Sequence, residues 1–286
     1  MQDNFNCGCT VASPPKIIPE GANLRFLFLV PMASRELNMQ EETLSLFFDS
    51  AIHLGAYSNK RNLRRHLNYL FDGIDLHGKK VLDVGGGTGL LTIYAAVQGA
   101  TSVCIEPESD GSSGGATKKF SLLKNSVDPE MRADLVLSSI QNYLCVARSF
   151  DVVVIANAIN HLNEDACVRL LIDPLARDEY KSIFLSLFRS IRPGGWLVAT
   201  DCTRSNFFND LGLKSPLMPD IEWQKHQSPK IWDELLQEAG FAPATVRWSS
   251  PNTLGEAGRV VLSNRLAAYF LLSHFKLVAR KPQTAA

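Results

Sequence analysis

Val81-Leu82-Asp83-Val84-Gly85-Gly86-Gly87-Thr88-Gly89-Leu90-Leu91-Thr92 carries the most specific local pattern in the chain. A short apolar, β-branched run enters a cluster of four glycines in five residues and leaves it in helix-forming residues, which reads as strand, tight turn, helix. Glycine lets the backbone turn sharply and lets a ligand come close, because no Cβ stands in the way. Glu106 lies twenty-one residues after Gly85, at the tip of the next apolar run. A carboxylate there can accept both hydroxyls of a ribose. A plain structural turn beside a surface glutamate is the bland reading; four glycines with an acidic partner at that distance is the more specific one.

Two nucleotide fingerprints fail on this stretch. The dinucleotide pattern needs glycines at i, i+2 and i+5, and the third position is Leu90 counted from Gly85 and Thr92 counted from Gly87. A phosphate-binding P-loop needs a lysine after its last glycine, and none occurs between Lys80 and Lys118. The segment therefore lacks what a pyrophosphate would require.

Outward from the glycines the chain alternates short β-rich and helical runs, the mark of βαβ units and a parallel sheet. Strands are expected at 80–84, 102–106, 135–137, 151–155 and 196–200, with two more at 245–249 and 274–279. Helices are expected at 90–98, 117–125, 164–171, 179–191, 231–239 and 264–272. Pro193-Gly194-Gly195 reads as the turn into the fifth strand. Residues 1 to about 20 are polar and hold Pro14, Pro15 and Pro19, so they read as a loose arm. A helical block follows from Met39 to Phe71, broken by a turn at Gly55-Ala56-Tyr57-Ser58. The expected division is an arm and helical lid over 1–75 and a core over 76–286, with 205–227 inserted as a substrate cap. Gly111-Ser112-Ser113-Gly114-Gly115 is a low-complexity patch.

The pattern Asp83, Gly85, Gly87, Gly89 resembles the first motif of the class I S-adenosylmethionine-dependent methyltransferases, without departure. Ile105-Glu106-Pro107 is similar to that family's ribose-binding turn, and Phe150-Asp151 through Asn157 to its fourth-strand motif. Ile191-Arg192-Pro193-Gly194-Gly195 resembles its entry to the fifth strand. The likeness covers about residues 79–201 well and the final strand loosely. It implies an α/β, Rossmann-like, doubly wound sheet of seven strands with the last antiparallel. It also implies S-adenosyl-L-methionine as cofactor, bound over the carboxyl ends of the first four strands.

Carried over residue by residue, the resemblance gives Asp83, Gly85, Gly86, Gly87 and Gly89 to the cofactor loop and Glu106 with Pro107 to the ribose. Most members place an acidic residue against the adenine at the end of the third strand. This chain has Ser139-Ile140-Gln141 instead, which leaves Ile140 to pack on the ring and Ser139 or Gln141 to hydrogen-bond it. Asn157 would lie near the reactive methyl, and Tyr57 would lie over the cofactor carboxylate or the substrate.

Methyl transfer is a displacement that depends chiefly on alignment, worth roughly 7–11 kcal/mol, so no acid or base is required. His161, just after the fourth strand, is the candidate base; His226, in the 205–227 segment, is the second. The alternative for each is a histidine that only packs or hydrogen-bonds in its loop, and for His161 placement without proton transfer is the favoured reading. Phe207, Phe208, Leu213, Met218 and Trp223 read equally as packing or as an apolar pocket wall. Lys60, Arg61, Arg64 and Arg65 read as a solvated basic face, with an anionic substrate group as the alternative.

Composition limits the partners. Lys+Arg and Asp+Glu are both 29, so there is no basic excess for wrapping nucleic acid. No apolar run is long enough to span a membrane, and Pro31 interrupts the stretch from Phe26 to Ala33. The N-terminus carries no signal-peptide pattern, and the six cysteines are too scattered for a disulfide framework. Cys7 and Cys9 have the wrong spacing for a zinc pair, and no metal set stands out. A protein arginine methyltransferase would need two glutamates after the fourth strand, where Asn157 and Asn160 stand. The expectation is a soluble, cytoplasmic methyltransferase acting on an oxygen, nitrogen or carbon of a small molecule, in specialised metabolism. A binding protein that keeps the fold without methyl transfer is the alternative from another class. The oligomeric state is left open, a homodimer being one option.

Overall fold

The computed structural model describes residues 24–107, 114–143, 146–251 and 255–283. The expected N-terminal arm, Cys7, Cys9, Cys145 and most of the 111–115 patch lie outside the described residues. The chain divides into a unit over Met1–Met39 and one over Gln40–Ala286; among the described residues, the first contributes the opening turns of a helix.

Helices α1 (Leu24–His53) and α2 (Lys60–Leu70) precede β1 (Lys80–Val84) and α3 (Leu90–Val97). Then come β2 (Thr101–Ile105), α4 (Ala116–Val127), β3 (Ala133–Val136) and β4 (Phe150–Ala156). After β4 follow α5 (Glu164–Arg169), α6 (Pro174–Ser190), β5 (Ile191–Cys202), α7 (Phe207–Asp210) and α8 (Pro229–Glu238). The chain ends through β6 (Thr245–Trp248), α9 (Gly255–Leu262), α10 (Arg265–Phe270) and β7 (His274–Arg280). The sheet has seven strands in the order β3-β2-β1-β4-β5-β7-β6, and β7 runs antiparallel to both neighbours. That is the expected Rossmann-like architecture.

The central strands are apolar on both faces, as a sheet covered by helices on each side requires. On β4, Val153 and Ile155 enter one core while Val152 and Val154 enter the other. The first core gathers Tyr180, Phe184 and Leu187 of α6 around Trp232 of α8, with ring centroids of Tyr180 and Trp232 5.1 Å apart. The second takes in α2.

Leu63, Leu67 and Leu70 form an i, i+4, i+7 stripe that is fully buried in the same core as Val81 and Ile93, which anchors α2 on the sheet. The basic cluster also divides. Arg61 and Arg64 stay exposed, and Arg64 lies over the Phe48 ring. Lys60 pairs with Asp49, while Arg65 turns inward with 9% of its surface exposed. A solvated face describes three of the four residues.

Other differences have local causes. Helix α6 begins at Pro174, five residues before the expected start, because Asp173 caps it through the Leu175 amide and proline suits the first turn. The strand expected from 196 starts at Ile191, with the ladder shifting register between Phe150 and Val152. Helix α9 is not among the expected helices; Val260 and Val261 on it are exposed, so no apolar face stands out.

Candidate active site

In an open α/β sheet, ligands sit beyond the carboxyl ends of the parallel strands where the strand order reverses. Here the reversal falls between β1 and β4, and a cleft of about 550 Å³ opens there. Gly85 and Gly87 line it from the end of β1, and Glu106 with Pro107 from the end of β2. Ser138, Ser139, Ile140 and Gln141 line it beyond β3, and Asn157, Ala158 and His161 beyond β4.

The glycines divide by task. Gly85 and Gly87 have φ of +67° and +56°, and a Cβ built on Gly87 meets nothing within 4 Å, so its missing side chain leaves the cleft clear. The Gly87 amide donates to Glu106 Oε2 at 2.8 Å, which holds the carboxylate at the rim of the cleft. Gly86 and Gly89 face away from the cleft. A Cβ on Gly86 would strike Asp83 and the Cys104 sulfur, and one on Gly89 would lie 2.1 Å from the Phe120 ring. Asp83 stands behind the loop rather than in the cleft. It is fully buried, accepts from Thr92 Oγ1 at 2.7 Å, and is pushed up to about 6 by burial.

On the opposite wall Ile140 is buried, and the Gln141 carboxamide donates to the Leu162 carbonyl, tying the loop after β3 to the turn after β4. That turn is one 3-10 helix, Asn160–Leu162, held from beneath by the Tyr180 hydroxyl, which lies 3.0 Å from the carbonyls of Ile159 and Asn160. His161 is half-exposed on it. Its Nδ1 contacts Glu164, and its Nε2 lies 3.4 Å from the Asn160 amide nitrogen. Lys225, 3.0 Å away, and then His161 hold the Glu164 carboxyl below the usual range. A carboxylate on Nδ1 fixes the tautomer that leaves Nε2 as the accepting nitrogen.

A second cavity, about 300 Å³, meets the cleft at Asn157, which lines both. Tyr57 belongs here and not to the glycine cleft; its ring stacks on His66 with centroids 5.9 Å apart. Sequence reasoning missed His274 and Arg259 and named Arg65 only as one of a basic cluster; all three line this cavity. The signal for His274 was available. Because β7 is antiparallel, its first residue lies at the same sheet edge as the ends of the parallel strands, opposite Cys202. Of the five apolar residues picked from 205–227, Met218 lines the cavity; Phe207 packs on Phe270 and Trp223 is buried.

His226 lines neither space. Its Nδ1 meets Asp201 Oδ1 at 2.8 Å, and Asp201 is 2% exposed, so burial pushes the carboxyl up against the pull of His226.

Likeness to known proteins gives the family and the fold. The family profile described as "Methyltransferase domain" matches residues 56–246. The rat mitochondrial ubiquinone biosynthesis O-methyltransferase is 26% identical over 184 residues, 61% of this chain and 47% of that protein. The chain thus spans about half the length of that relative. Among solved structures, an S-adenosylmethionine-dependent methyltransferase from Mesorhizobium loti superposes with a TM-score of 0.52 at 15% identity, over 77% of this chain and 98% of that one. The phosphoethanolamine N-methyltransferase 2 of Haemonchus contortus, in complex with S-adenosyl-L-methionine, gives 0.51 at 16% identity, over 78% and 53%. At these identities the structural likeness concerns the fold.

Proposed function

The chain belongs to the methyltransferase-domain family, and from that premise we propose that it transfers a methyl group from S-adenosyl-L-methionine to an oxygen of a small molecule. The observation that carries this reading is the pairing of Glu106 with the side-chain-free space at Gly87. The cleft has the volume of an ordinary small-ligand site. Its residues fit the cofactor: Glu106 to accept the ribose hydroxyls, Ile140 to pack on the adenine, and Ser139 or Gln141 to hydrogen-bond it.

When bound, the cofactor supplies an electrophilic methyl group. This chain's residues supply alignment and a place for the acceptor's proton. Asn157, between the two spaces, has φ +53° and is held there by its amide donating to the Thr200 carbonyl at 2.9 Å. His161, with Nδ1 fixed by Glu164, is the residue that takes the proton at Nε2, a role that fits a hydroxyl acceptor and adds about 10²–10⁴-fold. His226, paired with buried Asp201, holds its loop instead. The rat relative's name, an O-methyltransferase, supports oxygen as the acceptor atom. Among the described residues no helix is long and apolar enough to cross a membrane. The buried free thiols of Cys104, Cys167 and Cys202 suit a reducing compartment such as the cytoplasm.

Calorimetric titration with S-adenosylhomocysteine, followed by transfer of a labelled methyl group to a panel of phenols and amines, tests the reading. Saturable binding and label in the phenols are expected. A protein that binds no S-adenosylhomocysteine, or labels amines alone, sinks it.

A further inference from the structure

Asn157 is the residue that the cleft and the second cavity share, and its backbone is already fixed by the Thr200 carbonyl. Its side chain is held as well. Oδ1 lies 2.9 Å from His274 Nε2 and 3.3 Å from the Thr200 hydroxyl, so β7 and β5 meet at one oxygen atom. Among the described residues Nδ2 has no hydrogen-bond partner. With the oxygen committed to His274 and Thr200, the nitrogen is the end left for a ligand where the two spaces meet.

An asparagine amide that is free to turn offers a ligand either a donor or an acceptor. The ring of His274 removes the choice. Its Nδ1 lies 2.9 Å from the Ser249 hydroxyl, which is 3.4 Å from the His274 carbonyl. That carbonyl already accepts from the Ser249 amide at 3.0 Å, so the hydroxyl donates to Nδ1, the shorter of its two contacts. Burial first, then the charges of His66 and His226, bring His274 down to about 4. At neutral pH the ring therefore holds one proton, on Nε2, and donates it to Asn157 Oδ1. The chain Ser249, His274, Asn157 is polarised in one direction, each hydrogen aimed at the next group, and it ends on a donor.

We propose that His274 is a positioning residue for methyl transfer: it locks the Asn157 carboxamide so that Nδ2 donates to the oxygen that receives the methyl group. A donor fixed on one lone pair leaves another lone pair of that oxygen to face the methyl carbon, and alignment is the larger share of what the displacement needs. The oxygen's proton goes to His161 as the carbon–oxygen bond forms and the carbon–sulfur bond breaks; Asn157 exchanges none. His274 acts through Asn157 and does not touch the reacting atoms. The donation to the acceptor oxygen rests on the methyl-transfer reading; the lock on Asn157 does not.

Two measurements on the full chain test it. The first needs no activity: ring-nitrogen NMR spectra of histidine-labelled protein at neutral pH, with the His274 signals identified by their absence in His274→Gln. A protonated Nε2 and an unprotonated Nδ1 are expected; the opposite tautomer overturns the lock. The second is transfer of a labelled methyl group to the phenol of the panel that takes the most label. His274→Leu should lower kcat about 10- to 100-fold, the cost of a misplaced group, with KM and S-adenosylhomocysteine affinity within about threefold of wild type. His274→Gln, whose amide nitrogen lies near the place of Nε2, should recover most of that loss. In an Asn157→Ala background His274→Leu should cost nothing further, because the group it positions is gone. Asn157→Asp, which puts an acceptor in place of the donor, should transfer as poorly as Asn157→Ala. A merely structural histidine predicts losses that add and no rescue by glutamine; either result overturns the role in transfer, as does a fully active Asn157→Asp. A wild type with the expected tautomer that neither binds S-adenosylhomocysteine nor labels a phenol keeps the lock and removes the methyl-transfer reading.

Discussion

His274 Nε2 and Asn157 Oδ1 stand 2.9 Å apart, joining the first residue of β7 to the residue just past β4. With Nε2 donating, Nδ1 is left to accept from the Ser249 hydroxyl at 2.9 Å, so both ring nitrogens are occupied in the neutral form. Protonation would make Nδ1 a second donor, forcing that hydroxyl to turn, and would place a charge in a half-buried site.

This gives a pH dependence with a definite sign. The unfolded imidazole titrates near 6.5 and the folded one at about 4, so between these values the unfolded chain holds the extra proton. The contribution of neutral His274 is complete above about pH 6.5 and lost as pH falls toward 4, at up to about 1.4 kcal/mol per pH unit. Denaturant unfolding at pH 7, 6 and 5 should show a shallower acid-side loss for His274→Gln than for the wild type. Equal slopes would place the acid sensitivity elsewhere.

Gly87 and Gly89 should separate function from stability. Gly87→Val adds a branched side chain to the open cleft and to a left-handed backbone that costs an L-residue roughly 1–2 kcal/mol. S-adenosylhomocysteine binding should vanish while the melting transition survives at a modestly lower temperature. Gly89→Ala, whose Cβ would overlap the Phe120 ring, should do the reverse: a large fall in stability, with binding retained in the folded fraction. Identical behaviour of the two variants would mean that the loop does not divide as the geometry has it.

Glu106→Gln keeps the shape of the side chain and removes its charge. The ribose contacts and the Gly87 hydrogen bond would then be neutral ones. Affinity for S-adenosylhomocysteine should fall about 10- to 150-fold by calorimetry, corresponding to roughly 1.5–3 kcal/mol. An affinity within twofold of wild type would show that the ribose is held by other groups.

The glycine loop, Glu106 and the strand alternation were legible because each is a local pattern: periodicity, a residue class, a short spacing. What sequence could not show depends on side-chain direction after folding. Asp83 and Gly86 belong to the same motif as Gly87 yet face the opposite way. Arg65 sits among three other basic residues, and nothing in its local pattern marks it as the one that is buried beside the cavity. His274 lies 117 positions from Asn157 and meets it only through the antiparallel closure of the sheet.

The role of His161 is decided by separating turnover from binding. Glu164 anchors Nδ1, and the 3-10 turn beneath is fixed by the Tyr180 hydroxyl, so the ring is positioned from two sides. If Nε2 takes the acceptor's proton, His161→Ala should lower kcat about 10²–10⁴-fold while S-adenosylhomocysteine affinity stays near the wild-type value. The acid limb of the wild-type pH–rate profile should disappear in the variant. Glu164→Gln should keep that limb and lose less, because the base remains and only its tautomer control weakens. A histidine that merely shapes the turn predicts otherwise: a loss under tenfold, weaker cofactor binding, and an unchanged profile. Methyl displacement can run on alignment alone, so that second pattern would leave the cleft as the site of transfer and give the whole rate advantage to placement of the acceptor beside Asn157.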